Sequence, residues 1–171
     1  MGAVKWFENK NGLTVKEIVK LEAEYRIESL VCAIEAIILK KEDDDVEIED
    51  EEFVVLAVES MEREVNSGGF SMFFSNDSWR FTPYLVNCLF EIGSVKARDI
   101  AELAVSSLGV GPLTETTDVE KYYANIQEQL EDDTVIEKLE EIDTKYFEMD
   151  EDIAGLTFAY VKKNLTSFTQ A

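Results

Sequence analysis

The chain has no histidine among its 171 residues. That absence removes the commonest general base, the Ser–His and Cys–His dyads, and the commonest transition-metal ligand. Proline and glycine are scarce, at two and eight residues, which argues against a loop-rich or all-β chain. The only cysteines, Cys32 and Cys88, lie in apolar-periodic stretches. They are expected as two buried thiols in a reducing compartment rather than as a disulfide. No apolar stretch follows Lys5 as a secretory signal requires. Position 6 is Trp6, where a myristoylation signal takes Ser or Thr. The longest uninterrupted apolar run, Phe53 to Val58, is far too short to span a membrane. A cytoplasmic protein is the expectation.

Basic residues are the other shortage: 16 Lys and Arg stand against 37 Asp and Glu, a net charge of −21. Residues 1–41 net +1, residues 42–52 carry −9 with no base, residues 53–114 carry −3, residues 115–152 carry −12, and the tail nets +2. Two segments thus hold the whole imbalance. A focused negative field repels nucleic acid and membranes and attracts basic protein surfaces. Apolar residues make up 46 %, with ten Phe, six Tyr and two Trp. That is too apolar for disorder and enough for one core, so a single domain over 1–171 is expected.

Helical signals run the length of the chain and predict an all-α fold of roughly seven to nine helices. Thr14 with Glu17 is a capping box. Ile27, Leu30, Val31, Ile34 and Ile38 follow helical spacing, with Arg26, Glu28 and Glu35 off that stripe, so one helix or two stacked ones cover about 14–41. The run 42–52 reads as a solvated, mobile acidic connector feeding a helix at about 51–65, whose N-terminal dipole its acids complement. Asn66-Ser67-Gly68-Gly69 should end that helix with a glycine in the left-handed region. Phe70, Phe73 and Phe74 share one side of the next turn.

Further on, Thr82-Pro83 starts a helix with Tyr84, Leu85, Leu89 and Phe90 inward and Gly93 at its end. Residues 94–108 form another, with Ile100, Leu103 and Leu108 inward, before a turn at Val110-Gly111-Pro112. Thr117 with Glu120 and Thr134 with Glu137 are two more capping boxes. Val135, Ile136, Leu139, Ile142 and Tyr146 make a core stripe, and Asp150 caps a last helix to about 164.

The carboxylates do not resolve into a reaction centre. Asp43-Asp44-Asp45 lacks the alternating ligands and glycine of a calcium loop, and a di-iron bundle needs histidine. Gly68-Gly69 is no phosphate-binding fingerprint, because it closes a helix and no Lys-Ser/Thr follows. No basic patch with interleaved aromatics is present, which disfavours direct nucleic-acid binding. No metal, cofactor or catalytic residue is therefore assigned. On a helix, acids three or four residues apart lie about 5–6 Å from each other, a spacing comparable to phosphates along a DNA strand. A folded helical surface can so present negative charge where a DNA-binding protein expects backbone. The expected surface comprises Asp44, Glu47, Asp50 and Glu51 from the first block, with Asp132, Asp133, Glu137, Glu140 and Glu141 from the second, brought onto one face. Solubility alone is the alternative reading of the same charge.

The stretch Glu64-Val65-Asn66-Ser67-Gly68-Gly69-Phe70-Ser71-Met72-Phe73-Phe74-Ser75-Asn76 resembles the central motif of a bacterial DNA-mimic protein family of small acidic proteins. Ile92-Gly93, the helix from Lys96 to Leu108, Leu139 to Phe147 and Asp150 to Tyr160 continue the resemblance, which covers about 53–164. Met72 and Asp77-Ser78-Trp79-Arg80 depart from the family pattern, and residues 1–41 have no counterpart in it. The resemblance implies an all-α fold and a partner that is a basic DNA-binding protein: a regulator, nuclease or nucleoid protein. A homodimer is left open. Carried over by position, Asn66, Gly68, Gly69, Phe70, Phe73 and Asn76 are the motif. Their residue types suit a turn and a core contact rather than catalysis. An immunity- or antitoxin-like inhibitor of a basic toxin or nuclease is the alternative function, and a carboxylate-based hydrolase is a third.

Overall fold

In the computed structural model, which describes residues 5–110 and 118–168, Glu17 reaches back to the start of the first helix. Its Oε2 accepts from the Thr14 amide at 2.9 Å and the Thr14 hydroxyl at 2.8 Å, the reciprocal cap that the Thr-x-x-Glu spacing predicts. The helix it opens, α1 (Val15–Ile18), is a single turn that tightens into a 3-10 turn at Val19–Leu21. The helix ends there, and the Arg26 amide donates to the Lys5 carbonyl before α2 (Ile27–Asp43) begins. After it come α3 (Asp50–Ser75), a 3-10 turn at Asp77–Phe81, α4 (Leu85–Glu91), α5 (Lys96–Ser107), α6 (Val119–Leu130), α7 (Asp133–Glu148) and α8 (Ile153–Lys163). The fold is all-α. Among the described residues the only β-type pairing is an isolated bridge between Lys5 and Tyr25.

These elements gather into two compact units. The first comprises the described residues 5–59, 91–93 and 152–168. In it α2 lies along α8, and Leu30, Val31, Ile34 and Ile38 are fully buried, as their helical spacing predicts. The Ser29 hydroxyl accepts the Phe7 amide at 3.0 Å and ties the N-terminal segment to α2. Lys162 reaches Glu22 at 2.6 Å. Glu35, expected on the solvent side, is buried.

The second unit comprises the described residues 60–90, 94–110 and 118–151. There α7 packs against both α5 and α6. Ala97, Ile100, Ala101 and Ala104 make the inward face of α5. Leu103 falls off the edge of that stripe and is 48 % exposed, against expectation. Phe90 likewise points away from the Leu85, Cys88 and Leu89 face of α4 and is 60 % exposed, and Tyr84, one residue ahead of α4, is also exposed. The α4 helix itself starts two residues past Pro83, because the preceding 3-10 turn occupies the chain to Phe81. Cys88 is buried as expected, whereas Cys32 sits on the exposed side of α2.

The helix caps show which acceptor wins when two compete. Asp132, not Thr134, caps α7: its Oδ1 accepts the Thr134 amide at 2.8 Å and the Thr134 hydroxyl at 2.7 Å. An ionised carboxylate is the stronger acceptor for the helix dipole, which places Thr134 inside the first turn. Asp152, not Asp150, caps α8 through the Gly155 amide at 2.8 Å. Asp118 caps α6; Thr117, Gly111 and Pro112 lie outside the described residues. The start of α5 is held by Glu151, whose two oxygens accept from the Ser94 hydroxyl and the amides of Val95, Lys96 and Ala97 at 2.6–3.1 Å. Burial pushes the Glu151 carboxyl up, but these four bonds outweigh it and hold it below the ordinary glutamate value.

Candidate acidic interaction surface

Half of the first acidic block is built into helices. Its first two acids, Glu42 and Asp43, complete α2, and its last three, Asp50, Glu51 and Glu52, form the first turn of α3. Between them the α2 end closes as a Schellman motif. The Val46 amide donates to the Lys41 carbonyl and the Asp45 amide to the Glu42 carbonyl, with Asp45 at φ 55° in the position usually given to glycine. Glu52 is the block's exception to solvation. It is fully buried, and its Oε2 accepts from Lys41 Nζ at 2.6 Å and from the Glu49 amide at 3.0 Å. One carboxylate thus pairs the end of α2 with the start of α3 and caps the latter. Asp44, Glu47 and Asp50 are exposed and Glu51 is half-buried.

The second block spans the α6–α7 junction and the outer face of α7. Asp132, Asp133, Glu137, Glu140 and Glu141 are all exposed. Asp133, Glu137 and Glu141 follow each other at steps of four, and Glu140 lies three beyond Glu137, so they form rows on one helix. Asp132 is committed to its cap, and the Thr134 hydroxyl and amide hold its carboxyl below the usual value. The other four carboxylates, and those of Asp44, Glu47, Asp50 and Glu51, make no hydrogen bond or ion pair among the described residues. Lys121, Lys138 and Lys145 take part in none of the ion pairs there either. Each block therefore offers uncommitted carboxylates to solvent.

The family-type motif forms a sharp kink in α3. Gly68 sits at φ −166°, ψ 24° and Gly69 at φ 78°, ψ −177°. The positive φ at Gly69 is as expected. Its ψ differs from a left-handed cap and lies in a region open essentially to glycine alone. The kink breaks the helical ladder, so the Phe70 amide needs a new acceptor. It finds Asp143 Oδ1 at 2.8 Å, from the middle of α7. That carboxylate presses so closely on Gly69 that a Cβ there would collide with it. Asn76 Nδ2 donates to Glu64 Oε2 at 2.8 Å and ties the two sides of the kink together. Asn66 Nδ2 donates to the Glu62 carbonyl at 2.6 Å. Phe70, Phe73 and Phe74 are fully buried, and Phe70 meets Tyr146 edge-on at 5.9 Å. The six motif residues thus shape the fold that carries the acidic helix.

Sequence reasoning gave no role to Asp143, Glu64, Glu52, Lys41 or Glu151. Asp143 had one visible signal: it sits between Leu139, Ile142 and Tyr146, on the inward side of an amphipathic helix where an acid is out of place. Glu62 is similar. Burial raises its carboxyl from 4.5 to about 7, and its Oε1 is enclosed without a hydrogen-bond partner among the described residues. Below about pH 4.5 the group is protonated whether folded or not. As pH rises to 7 the unfolded chain gives up the proton first, so stability falls and then levels off. The loss approaches about 3 kcal/mol. Glu62→Gln should therefore match the wild type at pH 4.5 and exceed it at pH 8 by about 2–3 kcal/mol. Urea midpoints of both proteins at the two pH values measure this, and equal differences would reject the assignment.

The double-glycine kink, the acid that caps it from a later helix and the acidic outer face of that helix define a small acidic all-α protein. The chain belongs to the family described as DMP19-like protein, which matches residues 46–164. The match begins inside the first acidic block and takes in α3 with its kink and the whole of α4 to α8. No curated protein and no solved structure matches the chain.

Proposed function

We propose that this protein is a DNA mimic: it occupies the DNA-binding surface of a basic partner, such as a transcriptional regulator, nuclease or nucleoid protein, and blocks DNA there. The observation that carries this reading is the set of eight uncommitted carboxylates, drawn from the two segments that hold the whole net charge. Acids that served the fold would be paired or capping, as Glu52, Asp143 and Glu151 are. Membership of the DMP19-like family agrees with it. The role is binding rather than catalysis, and it is exercised in the cytoplasm. Distributed charge of this kind gives fast, salt-sensitive association.

The test uses the full chain as bait in a lysate of its native host, eluted by a salt gradient. A mimic should release a basic DNA-binding protein at raised salt, and duplex DNA should compete with it. Reversing Asp133, Glu137 and Glu140 to Lys should weaken that complex by at least about a hundredfold with helicity intact. Reversing Asp44, Glu47, Asp50 and Glu51 in a second variant shows whether the first block takes part. Unchanged affinity in both variants would reject the acidic surface as the binding site. The exposed Phe90 and Phe147 favour a second reading, an immunity-type inhibitor resting on a few apolar anchors. Its complex would survive salt and fail on Phe147→Ala instead.

A further inference from the structure

The segment ahead of the family match builds a cleft of its own. About 490 Å³ in volume, it is lined only by residues between Asn9 and Val46, all within the first unit. Cavities of roughly 300–1,000 Å³ hold small molecules. Leu13, Ala36, Ile37 and Val46 give it apolar lining, and Val46 is left 46 % exposed. Lys40, Lys41 and Asp44, at the end of the same helix α2, add charge to it.

Lys40 and Asp44 stand one helical turn apart at the end of α2 and are of opposite sign. At that spacing they could pair with each other, yet among the described residues neither joins any ion pair. Lys41 adds a buried ammonium. It is only 7 % exposed, and among the described residues one of its N–H groups is used, by Glu52. An ammonium has three, so this one bond does not exhaust its donors.

We infer that this cleft binds a free apolar α-amino acid. The ligand's carboxylate meets Lys40 and Lys41, its ammonium meets Asp44, and its side chain lies against Leu13, Ile37 and Val46. Net charge decides between this and a simpler ion. A lone anion is repelled by the nine acids of residues 42–52, and a lone cation leaves Lys40 unanswered, since Lys41 already faces Glu52. A zwitterion satisfies both and is indifferent to the field of a −21 chain. The inference shares only Asp44 with the function proposed above and otherwise concerns residues almost wholly ahead of the family match.

Isothermal titration of the full chain with L-phenylalanine and L-leucine tests it. Two further titrants, phenylethylamine and 3-phenylpropionate, each keep one charge and the ring. Saturable one-to-one binding of an amino acid is expected, with both single-charge analogues at least about tenfold weaker. Lys40→Met and Asp44→Asn should each weaken the amino acid by about tenfold or more. Ala36→Trp should fill the cleft and abolish binding while circular dichroism and melting stay as in the wild type. If Ala36→Trp disturbs the fold, Ala36→Leu serves the same purpose. No saturable binding of either amino acid would overturn the inference. So would equal affinity for the single-charge analogues, or binding indifferent to Lys40→Met and the Ala36 variant.

Discussion

Lys41→Met should destabilise the protein by about 3–5 kcal/mol. Methionine keeps most of the lysine stem, so packing is nearly conserved. What disappears is the only cation that Glu52 contacts among the described residues, and Glu52 is fully buried. A buried carboxylate without its partner cannot recover its hydration. In a chain of this size the loss corresponds to a fall in Tm of roughly 10–15 °C. Adding Glu52→Gln should recover a large part of it, because the charge is removed while the cap to the Glu49 amide can persist. Thermal and urea unfolding of the two variants measure both effects. A Lys41→Met protein within 1 kcal/mol of wild type would show that Glu52 does not depend on this pair.

The second large effect is expected at the kink. Gly69→Val places a β-branched side chain at φ 78°, ψ −177°, a backbone region that costs on the order of 1–3 kcal/mol for non-glycine residues. The new Cβ would also displace the Asp143 carboxylate, leaving the Phe70 amide without its acceptor. An unsatisfied buried donor adds about 1–3 kcal/mol, so a total of about 3–5 kcal/mol is expected. Asp143→Ala alone should show only the second part. Urea unfolding separates them, and equal losses in the two variants would mean that backbone strain at Gly69 is negligible.

Those two sites mark the boundary of what the sequence reveals. The Thr14–Glu17 cap, the helical stripe of α7 and the buried Phe70–Phe73–Phe74 side depend on residues within a turn or two of one another, and all three were readable. So was the positive φ at Gly69. Its reason was not, because Asp143 is 74 positions away and reaches the kink only once α7 is docked. Adjacent acceptors also defeated local reading: Thr134 and Asp132 both suit a cap, and the stronger acceptor takes it. Within the acidic run 42–52 every residue looks alike in sequence, yet Glu52 is buried and Asp50 exposed, since only one side of the first turn of α3 faces the core. Exposure of the candidate surface acids followed from their place off the apolar stripe. Which acids were already spoken for did not.

That division among the carboxylates has a consequence for descent with modification. Glu52 and Glu151 each hold several partners at once and Asp143 holds the amide freed by the kink, so their replacement is purged through stability. Asp133, Glu137, Glu140 and Glu141 make no hydrogen bond or ion pair among the described residues, and exchanges there lie within the small range of ordinary surface changes. Lineages can therefore reposition these charges one by one, neutrally with respect to folding, and follow a changing binding partner at the pace of its own surface.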